Sequence, residues 1–167
     1  MRRLPDEGTY GPDLGRGAVR ALAQYENRPV YITDDTFRGG RCSNGGALSS
    51  ISVRWDVLNS EFTNNKAIGR GANPASSGTP GGGSGGAIYL DGKDDNVRIA
   101  RTVMDSNSAR VGGGAVFDVV DTGWGALTSN ESHLHNDISG KFQTFPGIYY
   151  DIDGHDTVPV MIKSTDN

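Results

Sequence analysis

Three aspartates in the sequence are candidates for catalysis, because each follows a short apolar run. They are Asp91, Asp118 and Asp151. A row of carboxylates is what a calcium-assisted polysaccharide lyase would need, together with an Arg or Lys base that removes a proton next to a carboxylate. Asp118 stands one place off the column that Asp91 and Asp151 share, and no Arg or Lys accompanies them on those strands. The alternative is that all three are turn residues.

One acidic segment has the pattern of a short calcium loop. Asp151, Asp153 and Asp156 alternate with other residues around Gly154, so that oxygen donors surround a glycine turn. The segment lacks the bidentate glutamate that closes an EF-hand loop, and short Asp-Gly segments are also ordinary turns. Calcium binding and a simple turn are therefore both open here.

A second possible metal site combines imidazole and carboxylate ligands. His133, His135 and Asp137 share one face of a predicted strand, and two imidazoles with a carboxylate can hold a divalent ion. The alternative is that the histidines are outward polar residues flanking an inward Leu134. Asp137 would then occupy a corner of the fold.

An aromatic column is the candidate ligand-binding surface. If Ile88 points inward, Tyr89 points outward, because neighbouring side chains on a strand alternate. The same register places five residues in one outward column: Arg20, Ser49, Tyr89, Phe117 and Tyr149. Three consecutive aromatic rings about 4.8 Å apart would form a flat stripe that stacks on sugar rings or mediates association. The alternatives are a reversed register, or a loop that covers the stripe.

The elements that must position these residues are internal repeats. A glycine-led segment recurs, most clearly as Gly85-Gly86-Ala87-Ile88, and its branched apolar residue serves as a marker. The markers are Val19, Leu48, Ile88, Val116 and Ile148, at intervals of 29, 40, 28 and 32 residues. Self-similarity at such a period indicates stacked structural units.

A second motif runs in phase with the first. It places an apolar residue before a turn-forming pair, as in Phe62-Thr63-Asn64-Asn65. The apolar members are Phe37, Phe62, Met104 and Leu134, and a further copy is expected over residues 162–167. Asn64 or Asn65, Asn107 and Asn136 are predicted to lie at equivalent corners, where side-chain amides bond to like neighbours.

Short strands at this period, without helical patterns between them, predict an all-β fold, a parallel β-solenoid of about five coils that forms one domain over residues 1–167. Residues 1–15 are predicted to be a lead-in, and residues 16–26 could alternatively form a short helix. Residues 66–84 are rich in Gly, Pro and Ser and account for the one long repeat interval. They are predicted to form an excursion loop.

The two motifs resemble those of right-handed parallel β-helix proteins of the pectate-lyase-like superfamily. The nearest resemblance is to bacterial surface and secreted proteins with Gly-Gly-Ala-Ile and Phe-x-x-Asn repeats, of the polymorphic outer-membrane type. The resemblance covers roughly residues 16–150 and implies right-handed coils and an extracellular or cell-surface location. Superfamily members include polysaccharide lyases and hydrolases, adhesins and autotransporter passengers. Residues 37–40 and 134–137 depart from the Phe-x-x-Asn pattern.

Composition narrows the possible partners and locations. The formal net charge of -4 argues against nucleic acid, whose binding depends on Lys and Arg. No apolar stretch reaches the roughly 18 residues of a membrane span. The single cysteine, Cys42, excludes an internal disulfide framework. No signal peptide is read at the start, which predicts a cytoplasmic location if this is the full natural product.

These observations together predict a non-catalytic binding or structural module. No cofactor is expected, and calcium is the one that was considered. Its expected partner is a polysaccharide, or other copies of the chain that associate through the coil ends. The alternative is a polysaccharide lyase or glycosidase that uses carboxylates on the same face. An enzyme would need an acid and a base converging in a cleft, and a binding module would not.

Overall fold

The computed structural model describes residues 18–22, 28–93 and 96–162. This part of the chain contains only β-strands, turns and loops, and none of it is helical. It accordingly includes no helix with the length and apolar character needed to cross a membrane.

The described residues form eighteen short strands. The first four are β1 (Val19–Leu22), β2 (Val30–Thr33), β3 (Thr36–Arg38) and β4 (Arg41–Cys42). The next four are β5 (Leu48–Ile51), β6 (Trp55–Leu58), β7 (Glu61–Thr63) and β8 (Lys66–Ala67). Then follow β9 (Ile88–Gly92), β10 (Asn96–Ala100), β11 (Val103–Asp105) and β12 (Ser108–Ala109). The last six are β13 (Val116–Val120), β14 (Ala126–Asn130), β15 (His133–His135), β16 (Ile148–Ile152), β17 (His155–Thr157) and β18 (Val160–Ile162).

The strands stack in four sheets, and the chain visits the sheets in a fixed order. Sheet A has the order β1-β5-β9-β13-β16-β17, and sheet B has β18-β14-β10-β6-β2. Sheet C has β15-β11-β7-β3, and sheet D has β12-β8-β4. All pairs are parallel except β16 with β17. This is the arrangement of a β-solenoid, in which each passage of the chain bonds to the one before it and the one after it.

The register confirms the two columns that the repeats predict. In sheet A the marker residues Val19, Leu48, Ile88, Val116 and Ile148 pair in succession. In sheet C the second column is Phe37, Phe62, Met104 and Leu134. Both columns face the core, and the rings of Phe37 and Phe62 stack with centroids 4.9 Å apart.

The paired glycines of the first motif are needed for two separate reasons. The first glycine of each pair, as in Gly45, Gly85 and Gly113, has a positive φ of 58–68°, which a residue with a side chain rarely adopts. A Cβ on the second glycine would strike the backbone of the next strand layer, as between Gly46 and the Gly86 carbonyl. The motif therefore marks the place where successive repeats approach most closely.

A buried amide ladder lies between sheets C and D. Asn65 Nδ2 donates to Asn107 Oδ1 at 2.9 Å, and Asn107 Nδ2 donates to Asp137 Oδ1 at 2.8 Å. Each Asn also donates to a backbone carbonyl, Asn65 to Phe37 at 3.0 Å and Asn107 to Phe62 at 2.9 Å. The expectation that Asn136 extends the ladder is wrong, because Asp137 occupies that position. Asn136 instead forms the preceding turn with a φ of 53°.

Three other local expectations can be compared with the structure. The short helix considered for residues 16–26 is wrong for Val19–Leu22, which is strand β1. Of the loop predicted over 66–84, Lys66–Ala67 is strand β8, and residues 68–83 form the excursion loop with one bridge between Ser76 and Thr79. The lead-in lies outside the described residues, and so does the motif copy predicted over residues 162–167, apart from Ile162 in β18.

The excursion loop is tied back to the sheet stack by backbone hydrogen bonds. Gly69 N and Gly83 N both donate to the Ser43 carbonyl at 3.0 Å. Asn44 Oδ1 accepts from Gly83 N at 2.7 Å and from Ser84 N at 3.1 Å. These bonds hold both ends of the loop against the connection between β4 of sheet D and β5 of sheet A.

Candidate functional site

The predicted outward column exists on sheet A. Arg20, Ser49, Tyr89, Phe117 and Tyr149 pair in succession along β1, β5, β9, β13 and β16. The three rings stack, with centroids 5.1 Å apart for Tyr89 and Phe117 and again 5.1 Å for Phe117 and Tyr149. Their planes differ by only 7° and 24°. Strand spacing alone brings the rings to this separation.

Most of this stack is covered, which agrees with the alternative that a loop lies over the stripe. Phe117 is only 4% exposed and Tyr149 only 5%. The ring of Phe142, in the loop before β16, packs edge-on against Tyr149 at 5.9 Å. The loop therefore makes two of the three rings part of a small outer core, and Tyr89 is the ring that remains partly open.

The open end of the stack lies in a cleft of about 240 Å³. Ser49 follows Tyr89 in the column, so the aromatic stack ends there, and Ser49 itself is only 4% exposed. Arg20, Ser49, Tyr89 and Asp91 line the cleft from sheet A. Ser43 lines it beside the loop residues Gly71 and Ala72. The cleft thus combines an aromatic floor with polar walls.

Two hydroxyl groups in this cleft have no hydrogen-bond partner. Ser43 Oγ and Ser49 Oγ are both buried, and the side chains are 7% and 4% exposed. A buried hydroxyl without a partner loses its bonds to bulk water, at a cost of about 1–3 kcal/mol. Both oxygens have almost no accessible surface, so neither faces the open part of the cleft.

Tyr89 and Asp91 form the polar pair at the cleft floor. Tyr89 Oη donates to Asp91 Oδ2 at 2.7 Å. Burial raises the pKa of Tyr89 well above its usual value, and the negative charges of Asp91 and Asp121 raise it further, while Arg20 lowers it. Burial also raises the pKa of Asp91, against the hydrogen bond from Tyr89, which lowers it. The phenol stays protonated and is a donor.

The structure does not bring the three candidate catalytic aspartates together. Asp91 and Asp151 share a column with Val119 between them. Asp118 lies in the neighbouring column between Leu90 and Tyr150 and is fully buried, so its carboxyl group faces the interior. Burial raises the pKa of Tyr150, and the charge of Asp118 raises it further, to about 12.

The acidic segment proposed as a calcium loop is a β-hairpin. Asp151 pairs with Asp156 across β16 and β17, and Asp153 and Gly154 form the turn with φ values of 52° and 77°. Two positive φ values at Asp-Gly are typical of a type I′ turn. Asp151 Oδ1 accepts from Gly154 N at 2.9 Å, and a hydrogen bond to Asp156 contributes to the raised pKa of Tyr149. Asp151 therefore stabilises the hairpin turn, and Asp156 forms a hydrogen bond with Tyr149 of the aromatic stack.

The second possible metal site is also dispersed. His133 and His135 are exposed on either side of Leu134 in β15, while Asp137 is engaged by the amide ladder. Over residues 18–22, 28–93 and 96–162, no group of three or more His, Cys, Asp or Glu side chains is placed to hold a metal ion.

Sequence reasoning missed Ser43, Asn44 and the loop walls of the cleft. Asn44 lies before the Gly45-Gly46 pair, where turn residues are common, so its type gave no signal of a role in holding the loop. The end of the aromatic stack was predictable from the sequence, because Ser49 interrupts the column next to three aromatic residues.

Comparison with known proteins gives one family match. Residues 59–91 match the Chlamydia polymorphic membrane protein repeat. No curated protein and no solved structure matches the chain. The matched segment begins just before β7, includes the Phe62 and Gly85-Gly86 motifs, and ends at Asp91 in the cleft. The chain therefore carries a segment similar to that repeat, and Tyr89 and the excursion loop lie within it.

Proposed function

We propose that this chain is a right-handed parallel β-helix of five coils that acts as a carbohydrate-binding module at a cell surface. The recurring order of sheets A, B and C supports the coil assignment. The match to a repeat described as part of a membrane protein supports the location. Binding, rather than catalysis, is the activity.

The observation that carries this proposal is the open end of the aromatic stack. Tyr89 is fixed by the stacked ring of Phe117 behind it and by the bond from its hydroxyl to Asp91. A fixed aromatic ring is the surface on which the apolar face of a sugar packs, because the ring loses little conformational freedom on binding. Polar side chains of Arg20, Asn44 and Asp91 line the same cleft and can supply hydrogen bonds.

The same geometry favours binding over a lyase or glycosidase. Asp91 is engaged by Tyr89, Asp151 by the hairpin, and Asp118 faces the interior. A lyase acting on uronic acids also needs positive charge around the substrate carboxylate. Near Tyr89, two carboxylates, those of Asp91 and Asp121, outnumber the one guanidinium of Arg20. The local charge is therefore opposite in sign to what a lyase needs.

Retention on a series of immobilised neutral and acidic polysaccharides tests the proposal. The unmodified chain is expected to be retained on at least one neutral matrix, and Tyr89→Ala is expected to elute at least ten-fold more readily. Tyr31→Ala is the matched control, because Tyr31 is 61% exposed on the separate sheet B. Equal retention of the two variants, with native circular dichroism, would remove the proposed site. Retention on none of the matrices would remove the function.

An activity assay separates the module from the enzyme. The chain is incubated with uronic-acid polymers and with neutral polysaccharides, with and without calcium, and unsaturated products and new reducing ends are measured. The proposal predicts neither product. Turnover that Asp91→Asn abolishes would instead support the enzyme.

Self-association is a second candidate, favoured by the exposed apolar residues near one edge of sheet B. Strand β18 is an edge strand, and Val158, Val160 and Ile162 are 61%, 57% and 48% exposed. An edge strand with exposed apolar side chains is a template for pairing with another chain. Light scattering should then detect a dimer that Val160→Lys weakens, whereas a monomer at all concentrations would argue against this candidate.

A further inference from the structure

Positive charge is concentrated in the segments that lead from sheet C to sheet A. These segments are residues 39–47, 64–87, 106–115 and 136–147, which contain β4, β8, β12 and the excursion loop. Their one acidic residue is Asp137, and their five basic residues are Arg41, Lys66, Arg70, Arg110 and Lys141. In the remainder of the described chain, acidic residues outnumber basic ones. The net charge of -4 therefore conceals a basic face, which consists of those five residues.

Part of the basic face is built on sheet D. Arg41 and Lys66 pair directly across β4 and β8, and both side chains are exposed. Parallel strands place such neighbours about 4.8 Å apart. Lys66 pairs in turn with Ser108 of β12, and Arg110 follows two residues later. The basic face therefore extends across three successive passages of the chain.

Close packing of glycines brings the other cations of the basic face together. A Cβ on Gly83 would lie 2.8 Å from Cβ of Arg110 and 3.3 Å from Cα of the residue before Arg70. A Cβ on the residue before Lys141 would lie 2.5 Å from the carbonyl oxygen of Arg110. The side chains of all three cations are exposed. Arg110 thus stands between the excursion loop on one side and the loop before β16 on the other.

The charges of the basic face are not neutralised by neighbouring side chains. Four of its cations form no ion pair with any described residue: Lys66, Arg70, Arg110 and Lys141. Lys141 Nζ lies over the Phe142 ring, 5.2 Å from its centroid, which leaves its charge in place. The acid of these segments, Asp137, accepts from Asn107 in the buried ladder. The basic face is therefore suited to a partner that brings several negative charges.

We propose that the basic face binds a linear sulfated polysaccharide, at a site separate from the cleft at Tyr89. Negative groups repeated along a narrow chain complement cations on successive passages of the solenoid. A sulfate ester offers three oxygens, so one group can accept from the guanidinium groups of both Arg70 and Arg110, whereas a single bidentate pair uses both oxygens of a carboxylate. This inference goes beyond the proposed binding at Tyr89 and does not depend on it.

Two other anionic partners fit the basic face less well. Binding to a lipid surface combines basic residues with apolar side chains that enter the membrane. Of the large apolar side chains that are exposed in the described chain, only Ile138 lies in these segments. A nucleic acid duplex is broad, so its phosphates would also approach acidic residues of the adjoining strands, such as Asp105 of β11.

Affinity for heparin at low ionic strength tests the proposal. The double variant Arg70→Ser, Arg110→Ser removes two charges from the basic face and should bind about ten-fold more weakly than the unmodified chain. The matched control is Lys93→Ser, Arg98→Ser, which removes the same charge from exposed residues just before and within β10. The control should bind like the unmodified chain. Heparin from which the sulfate groups have been removed keeps its carboxylates and should bind clearly less tightly.

Several results would overturn the inference. They are no binding of heparin, equal losses in the two double variants, undiminished binding of desulfated heparin, and tighter binding of duplex DNA or of phosphatidylglycerol vesicles than of heparin. If the basic-face variant lacks native circular dichroism, amide chemical shifts of the unmodified chain decide. Heparin should then shift residues 64–72 and 106–112, and shifts centred elsewhere would refute the inference. Tyr89→Ala should bind heparin normally, so a failure here leaves the proposed function standing.

Discussion

The amide ladder and the aromatic column are built in the same way and end differently. Each is a column of like side chains brought together by parallel strands, one inside the stack and one outside. Every nitrogen of the Asn65 and Asn107 side chains has a carbonyl or carboxylate partner, and both residues are fully buried. The aromatic column instead stops at Ser49, and its last ring, Tyr89, is only partly buried and lines a cleft. A column of complete contacts stabilises the fold, whereas an interrupted column leaves a site.

The comparison predicts its largest effect at the centre of the ladder. Asn107→Ala removes the amide that bonds to Asn65, Phe62 and Asp137 and leaves several buried groups without partners. At about 1–3 kcal/mol for each such group, the free energy of unfolding should fall by at least about 3 kcal/mol, measured by urea denaturation.

A turn residue beside the ladder provides the control for that prediction. Asn64→Gly changes an exposed residue at a φ of 58°, which glycine adopts freely. It should alter the unfolding free energy by less than about 1 kcal/mol, since its contacts are with solvent. If Asn64→Gly and Asn107→Ala lower the unfolding free energy by similar amounts, the ladder contributes no more to stability than an exposed turn residue does.

The second prediction contrasts the covered and open parts of the aromatic column. Phe117 packs between two rings and is 4% exposed, so Phe117→Ala should destabilise the chain by about 3–4 kcal/mol. Tyr89→Ala removes a ring that is only partly buried and should cost clearly less stability while having the larger effect on sugar retention. The reverse order of stabilities would contradict the assignment of Tyr89 as the open end.

The third and smallest effect concerns the acidic end of the ladder. Asn65 and Asn107 donate to the carbonyls of Phe37 and Phe62. Since Met104 follows Phe62 in that column, the repeat predicts that Oδ2 of Asp137 stands where the donor would be, toward the carbonyl of Met104. That oxygen is buried without a partner. Burial raises the pKa of Asp137, despite the hydrogen bonds from Asn107 that lower it. A protonated carboxyl group could donate there, as the amides do.

The consequence is a stability that depends on pH in a defined direction. Because the folded pKa lies above the ordinary value of 3.8, the contribution of Asp137 is complete below that value and is lost as pH rises through the folded pKa. Asp137→Asn should therefore stabilise the chain by about 1 kcal/mol at neutral pH and reduce the decline between pH 4 and 8. Urea denaturation across that range measures both, and a destabilised Asp137→Asn would contradict the account.

The columns were predictable from the sequence because they depend on local chemistry. The glycine-led segment of each repeat sets the register, so that Ile88 and its equivalents face inward and Tyr89 and its equivalents outward. The same alternation, applied one residue further, places Asp118 inward, although it was considered as a catalytic residue. The predicted ladder residue, Asn136, is one position before the actual one, Asp137, because Asn and Asp are suited both to the turn and to the corner.

The parts that escaped prediction depend on contacts between distant segments. Nothing in the spacing of residues 138–147 indicates that Phe142 folds over Tyr149. The walls of the cleft come from Gly71 and Ala72, in a loop whose composition predicts only that it lacks strands. Its return to Ser43 depends on backbone hydrogen bonds, which leave no pattern of side-chain types.

Saturation-transfer NMR tests most directly whether the open end of the aromatic column binds a sugar. Aromatic protons of the chain are irradiated in the presence of a neutral methyl hexoside, and the transfer to each sugar proton is measured. The account predicts transfer concentrated on the C–H protons of one face of the ring, present in Tyr31→Ala and lost in Tyr89→Ala. Transfer that is absent throughout the series of sugars, or that is equal in the two variants, would contradict it.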